Sequence, residues 1–140
     1  VADRNAYSQP QVGNQGFART MKCLGADVAL AVGDLALNKT VGLFVAPRGF
    51  VLTGISVVVP DLDSNGSPLL AFAIGDAADD DRFIATGATT GQAGGTNTTL
   101  AATGLNYEFT ADTEIVWKTV AAAATAVAGT IQPRFFGYMK

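Results

Sequence analysis

From Asp27 onward, apolar residues come in short runs separated by turn residues, with the spacing of strands rather than of helices. Asp27–Val32 is a first short run, closed by Gly33-Asp34, and Thr40–Ala46 is a second, closed by Pro47-Arg48-Gly49. Phe50–Val59 carries the strongest strand signal. Val51, Ile55, Val57, Val58 and Val59 are β-branched and suit a pleated surface, and Pro60, which lacks an N–H, ends the run. Asn65-Gly66 then marks a turn, so Leu69–Ile74 is expected to return as the second arm of a hairpin with a longish loop.

Farther along, Gly75–Asp81 reads as an acidic turn and Arg82–Ala85 as a short strand or one helical turn. The Gly-, Thr- and Ala-rich stretch Thr86–Thr103 reads as a long surface loop. Leu105, Tyr107 and Phe109 alternate with Asn106 and Glu108, which predicts a strand with the three apolar residues facing the core. Thr113–Val120 alternates again, placing Ile115 and Trp117 on one face. Ala121–Gly129 is read as a loop or a single helical turn, too short to hold a helix alone. Thr130–Tyr138 is the last strand. Pro133 inside it predicts an edge strand or a bulge, and regular alternation would send Phe135 and Phe136 to opposite faces.

The first 26 residues differ. Tyr7 to Gly16 is polar and follows neither period, so residues 1–26 read as an extended N-terminal arm and residues 27–140 as the folded domain. Tyr7, Val12, Phe17, Met21 and Leu24 are apolar anchors for that arm, on its own domain or on a neighbour. Seven or eight short strands with no βαβ alternation predict an all-β fold: a single β-sandwich, jelly-roll-like, with the arm extending from it.

Composition changes the picture in one respect. Charged residues are only 15% of the chain, against about 25% in ordinary soluble domains. Thr, Asn, Gln, Ser and Gly supply the polar cover, which suits a surface that packs against other proteins. The nine basic residues are scattered from Arg4 to Lys140 against twelve acidic ones, so neither nucleic acid nor an anionic membrane is an expected partner. No apolar run approaches a bilayer-spanning length, and Val1-Ala2-Asp3-Arg4 lacks the apolar core of a signal peptide. Synthesis in a cytoplasm, without export or anchoring, is therefore expected.

The chemistry of catalysis is sparse. Histidine is absent, which removes the usual neutral-pH base and the Ser-His-Asp and Cys-His arrangements. Cys23, the single cysteine, reads as a small buried apolar residue, and Glu108 and Glu114 are the only glutamates. No catalytic residue, cofactor or metal ligand is assigned, and the chain is not expected to be an enzyme. Asp61-x-Asp63-x-Asn65-Gly66 begins like a calcium loop, but the closing glutamate would fall at Phe72. Two solvated turns, with Asp and Asn bonding their own backbone, is the expectation. A looser cation site shared with Asp76, Asp79, Asp80 or Asp81 is the alternative.

Two stretches resemble small structural proteins encoded among the head genes of tailed phages. One runs from Asp61-Leu62-Asp63-Ser64-Asn65-Gly66 into Ile74-Gly75-Asp76 and Asp79-Asp80-Asp81-Arg82-Phe83-Ile84. The other runs from Tyr107-Glu108-Phe109-Thr110-Ala111-Asp112-Thr113 through Ala121 to Thr130. The resemblance implies a virion component, made in the host cytoplasm, that sits on the capsid exterior as a decoration (cement) protein. Its implied partners are the major capsid protein and, as a dimer or trimer, other copies of itself. Tyr7, Phe17 and Arg19 on the arm and Phe136 at the last strand are the expected partner-binding residues. The competing expectations are a head-fibre or tail adhesion module, binding host carbohydrate through Thr86–Thr103, and a tail or connector component.

Overall fold

The computed structural model describes residues 21–140. Its strands are β1 (Met21–Leu24), β2 (Val28–Leu30), β3 (Thr40–Ala46), β4 (Phe50–Val59), β5 (Ala71–Gly75), β6 (Ile84–Ala88), β7 (Gly95–Asn97), β8 (Thr113–Ala121) and β9 (Gly129–Met139). Short 3-10 turns at Val32–Leu35 and Thr90–Gln92 are the helical segments among the described residues. The strands form two antiparallel sheets: β1-β9-β4-β7 with β2 also on β9, and β3-β8-β5-β6. The expected β-sandwich is the observed fold. Among the described residues, no helix is long and apolar enough to cross a membrane.

Alternation explains which side of each strand is buried. In β8, Ile115, Trp117 and Thr119 point inward and are fully buried. In β9, Ile131 and Phe135 do the same, while Phe136 turns to the outer face and is only half-buried. β4 is buried at Phe50 and Leu52 and then at Ile55, Val57 and Val59; the phase slips at a bulge between Leu52 and Gly54. Between the sheets Trp117 stacks on Phe72 with ring centroids 4.1 Å apart, and Phe83 meets Phe135 edge-on at 5.1 Å. The buried indole N–H donates to Thr119 Oγ1 (3.0 Å), and that hydroxyl donates to the Asp34 carbonyl (2.8 Å).

Several expectations need correction. β4 and β5 are not a hairpin: β4 pairs with β7 and β9, β5 with β6 and β8, so residues 60–70 cross from one sheet to the other. β9 is central, with β4 on one side and β1 and β2 on the other. It tolerates Pro133 because β2 ends its pairing at Ile131 and β1 begins its own at Phe135. The Pro133 carbonyl faces Gly25, between those two short strands, so the side of the strand that lacks an N–H looks into a gap in the ladder. Gly25 (φ 142°) makes the approach; a Cβ there would overlap that carbonyl.

Leu105 is 57% exposed rather than core, because residues 101–107 turn and Asn106 takes a positive φ of 59°. Of that stretch, Phe109 is fully buried and Glu108 makes a single bridge to Val51. Thr86–Thr103 is not one loop, since it holds part of β6, a 3-10 turn and β7. Met21–Leu24, within the stretch read as arm, pairs with β9 as β1. Cys23 on that strand is exposed, not buried, because it lies opposite Phe136 on the outer face.

Candidate partner-binding surface

Of the expected partner-binding residues, Tyr7, Phe17 and Arg19 lie outside the described residues. Phe136 stands on the outer face of the first sheet, with Cys23 beside it on β1 and Gly54 on β4. One register step along, Met21, Tyr138 and Val51 share that face. Met21 is 59% exposed while Val51 is covered, so the apolar strip is part surface and part filled. Its position follows from β9 alternation, which put one of the two phenylalanines outward.

One end of the sandwich is built around Asp63. Its side chain is buried, and five backbone amides donate to it. Leu69, Leu70 and Ala124 reach Oδ2 at 2.8, 3.1 and 2.8 Å; Thr125 and Asn65 reach Oδ1 at 2.8 and 3.4 Å. Loss of solvent by itself would push the carboxyl up, but the amides of Thr125, Ala124, Leu69 and Leu70 outweigh it and hold Asp63 well below the usual carboxylate range. The residue pins the crossing 60–70 to the alanine-rich loop 121–129, two segments far apart in sequence. Val127 N–H donating to the Leu62 carbonyl (3.0 Å) and Asn65 Nδ2 donating to Thr125 Oγ1 (2.9 Å) reinforce the join. With its oxygens committed to amides, Asp63 does not fit the calcium-loop role that its spacing suggested.

The second acidic turn is organised the same way. Asp76 Oδ1 accepts the amides of Ala78 and Asp79 at 2.9 Å each, and Oδ2 accepts Arg82 Nε at 2.8 Å. The Arg82 guanidinium in turn lies 4.5 Å from the Tyr107 ring centroid. A hydrogen bond with Asp79, and then the amide and hydroxyl of Thr86, hold Asp81 below its ordinary value. Asp79, Asp80 and Asp81 bring carboxylate oxygens within 4.8 Å of one another, and Asp80 is paired with Lys118.

Two concavities mark the described surface, the first of them against the second acidic turn. One, of about 430 Å³, sits by Asn38, Asp76, Asp80 and Lys118. The other, of about 380 Å³, lies between β6 and residues 97–101 and is lined by alanine, threonine, glycine and asparagine with Ile84. Most of the second falls within Thr86–Thr103, the stretch expected to carry the site of an adhesion module, but read there as one long loop rather than as two walls of a slot.

No protein-family model matches the chain, and no curated protein matches its sequence. Its fold does have counterparts. A chain of the cyanophage Pam1 capsid asymmetric unit aligns at 26% identity with a TM-score of 0.77, over 89% of both chains. A chain of the Ralstonia phage GP4 capsid aligns at 23% identity and TM-score 0.72, over 86% of this chain and 84% of its own. A chain of the acid-stable capsid of Helicobacter pylori bacteriophage KHP30 aligns at 13% and 0.56, over 86% and 93%. The last two show the fold alone. The resemblance to phage virion structural proteins is thus matched by structure: the fold of this chain is one found in phage capsids, and these counterparts are structural components.

Proposed function

We propose that the chain is a capsid decoration (cement) protein that binds the outer surface of a phage head and stabilises contacts between major capsid protein subunits. The observation that carries this reading is the Pam1 alignment, which spans nearly nine-tenths of both chains in a capsid asymmetric unit. The low charge content supports it, since charged residues are depleted at interface cores. In this reading the work is adhesion rather than catalysis, and the protein acts on the exterior of the virion after synthesis in the host cytoplasm.

The mechanism is thermodynamic linkage. A protein that binds only the assembled lattice stabilises that lattice by its binding free energy. Many copies, each held modestly, resist the parting of subunits together. Phe136 on the outer sheet face, and Tyr7, Phe17 and Arg19 on the arm, are the contacts in this reading. An aromatic that alternation places on the surface loses little entropy when a partner covers it.

Copy number tests the reading. Quantitative mass spectrometry of purified particles should give on the order of hundreds of copies, as a lattice-wide protein requires, whereas about six or twelve would identify a portal or tail component instead. Removal of residues 1–20 should leave a folded domain that no longer stays on heads. Full occupancy by the shortened chain would remove the arm from the mechanism.

A further inference from the structure

The concavity beside β6 is the least explained feature of the described surface. Among the described residues, β6 is the outer strand of its sheet and pairs only with β5, and β7 is the outer strand of the other sheet and pairs only with β4. The slot therefore lies where the outer edges of both sheets come side by side, with the Thr86 amide of β6 already donating to Asp81 Oδ2 (3.3 Å). It is closed at one end by Ala101 N–H donating to the Phe83 carbonyl (2.9 Å), and at the other by Asn97 Nδ2 donating to Thr90 Oγ1 (3.2 Å). Its volume of about 380 Å³ would otherwise hold roughly a dozen waters. The walls are small side chains, and a Cβ added at Gly87 would meet nothing within 4 Å, so another backbone has room to approach. β6 runs for five residues, roughly 17 Å of strand.

Charge narrows the occupant. No Asp, Glu, Lys or Arg occurs from residue 83 to residue 107, so no charged side chain lines the slot, and the nearby Asp81 carboxylate is engaged by the amide and hydroxyl of Thr86. Burying an unpaired charge in it would be costly, so an uncharged extended segment is what it fits. The chain contains such a segment: residues 5–18 carry no charged side chain and offer Ser8, Gln9, Gln11, Asn14 and Gln15 as hydrogen-bonding groups. Twenty residues precede β1, enough at full extension for roughly 65 Å. They join the body at β1, one edge of the first sheet, whereas the slot lies beyond β7, the opposite edge.

We propose that residues 5–18 of one copy occupy the slot between β6 and residues 97–101 of a second copy. This inference rests on the reading of the chain as a decoration protein present in many copies on a capsid. Because donor and acceptor surfaces differ, the contact is head to tail, and repetition closes it into a ring when the rotation allows. Strand addition at a free edge supplies backbone hydrogen bonds without requiring a particular side-chain sequence.

The test uses full-length chains in a Cys23→Ser background. One chain carries Val12→Cys and the other Ala85→Cys, and the two are mixed and oxidised. The covalent heterodimer should form about tenfold more than when the second chain carries Val45→Cys, an exposed site remote from the slot. Thr99→Arg, which places an unpaired charge at the slot, should shift the full chain from oligomer to monomer in sedimentation, with unchanged circular dichroism. Equal yields from the two pairings would overturn the proposal. So would linkage found only within a chain carrying both Val12→Cys and Ala85→Cys, or a monomeric protein whose slot binds an oligosaccharide. The two readings fail separately: retention on heads without the cross-link removes the slot assignment alone, and the cross-link without retention removes the capsid reading alone.

Discussion

Asp63 shows what a single residue decides here. Asp63→Ala would strip acceptors from the amides of Leu69, Leu70, Ala124 and Thr125 and free two loops from one another. The expected result is a Tm lowered by on the order of 10 °C, read by circular dichroism. The same carboxylate makes stability fall in acid. Unfolded, it titrates near an ordinary carboxyl, at about pH 4; folded, it stays ionised far below that. Its contribution is therefore complete above about pH 4, and it declines as the pH falls below that, where the unfolded chain takes up a proton that the native state does not. Melting curves from about pH 5 to pH 3 should fall more steeply for the wild type than for Asp63→Asn; parallel slopes would refute the assignment. Thr119→Val tests a second residue, since it leaves the buried Trp117 N–H without its acceptor. A loss of about 1–3 kcal/mol in denaturant titration is expected. The spacing of Asp61, Asp63 and Asn65 was visible in the chain, and it announced a turn. That Asp63 would be buried and receive amides from residues 124 and 125 was not visible, because those donors lie about sixty positions away.

At the scale of the element, β9 carries the first sheet. It pairs with β4 along most of its length and with β1 and β2 on its other side. The gap at Pro133 holds only while Gly25 lets the chain pass close to the Pro133 carbonyl. Gly25→Ala is expected to cost about 2 kcal/mol or more, from the overlap and from a φ of 142° that alanine rarely adopts. An unchanged urea midpoint would contradict this account. The alternation in β8 and β9 was legible residue by residue: Ile115, Trp117 and Phe135 are inside, as their spacing required. The identity of each strand's neighbours was not. Asn65-Gly66 looks like a hairpin turn, yet the strands beside it belong to different sheets. Local turn chemistry sets the direction of the chain over a few residues, and pairing is settled by which apolar faces can be buried together. Leu105, Tyr107 and Phe109 mark the same limit. Their alternation is that of a strand, but Phe109 alone is fully buried, Tyr107 packs half-buried against the core, and Leu105 lies exposed on a turn.

Across the whole molecule, pairing joins distant parts of the chain. β2 lies against β9 and β3 against β8, so much of the sandwich forms only after long loops close. Refolding is expected on a scale of roughly milliseconds to seconds. Trp117, the single tryptophan, stacked on Phe72 in the core, reports it by fluorescence. A microsecond phase carrying the full amplitude would be inconsistent with this topology. Among the described residues, the same arrangement leaves β1 and β2 at one side of the first sheet and β7 at the other, with β3 and β6 outermost in the second, and edges of this kind pair with other chains unless something covers them. An assembly built from many copies has a use for such edges, which fits the architecture to the adhesive role proposed above.

The residues alone determined the all-β class, the positions of β4, β8 and β9, the opposite facing of Phe135 and Phe136 and the absence of histidine chemistry. These follow from side-chain period and from composition, which are local properties. Only the tertiary structure decided which strands pair, how a central strand accommodates Pro133, what Asp63 holds together and where the slot beside β6 opens. Each of those depends on contacts between residues tens of positions apart, and their geometry exists only once the two sheets have closed on a common core.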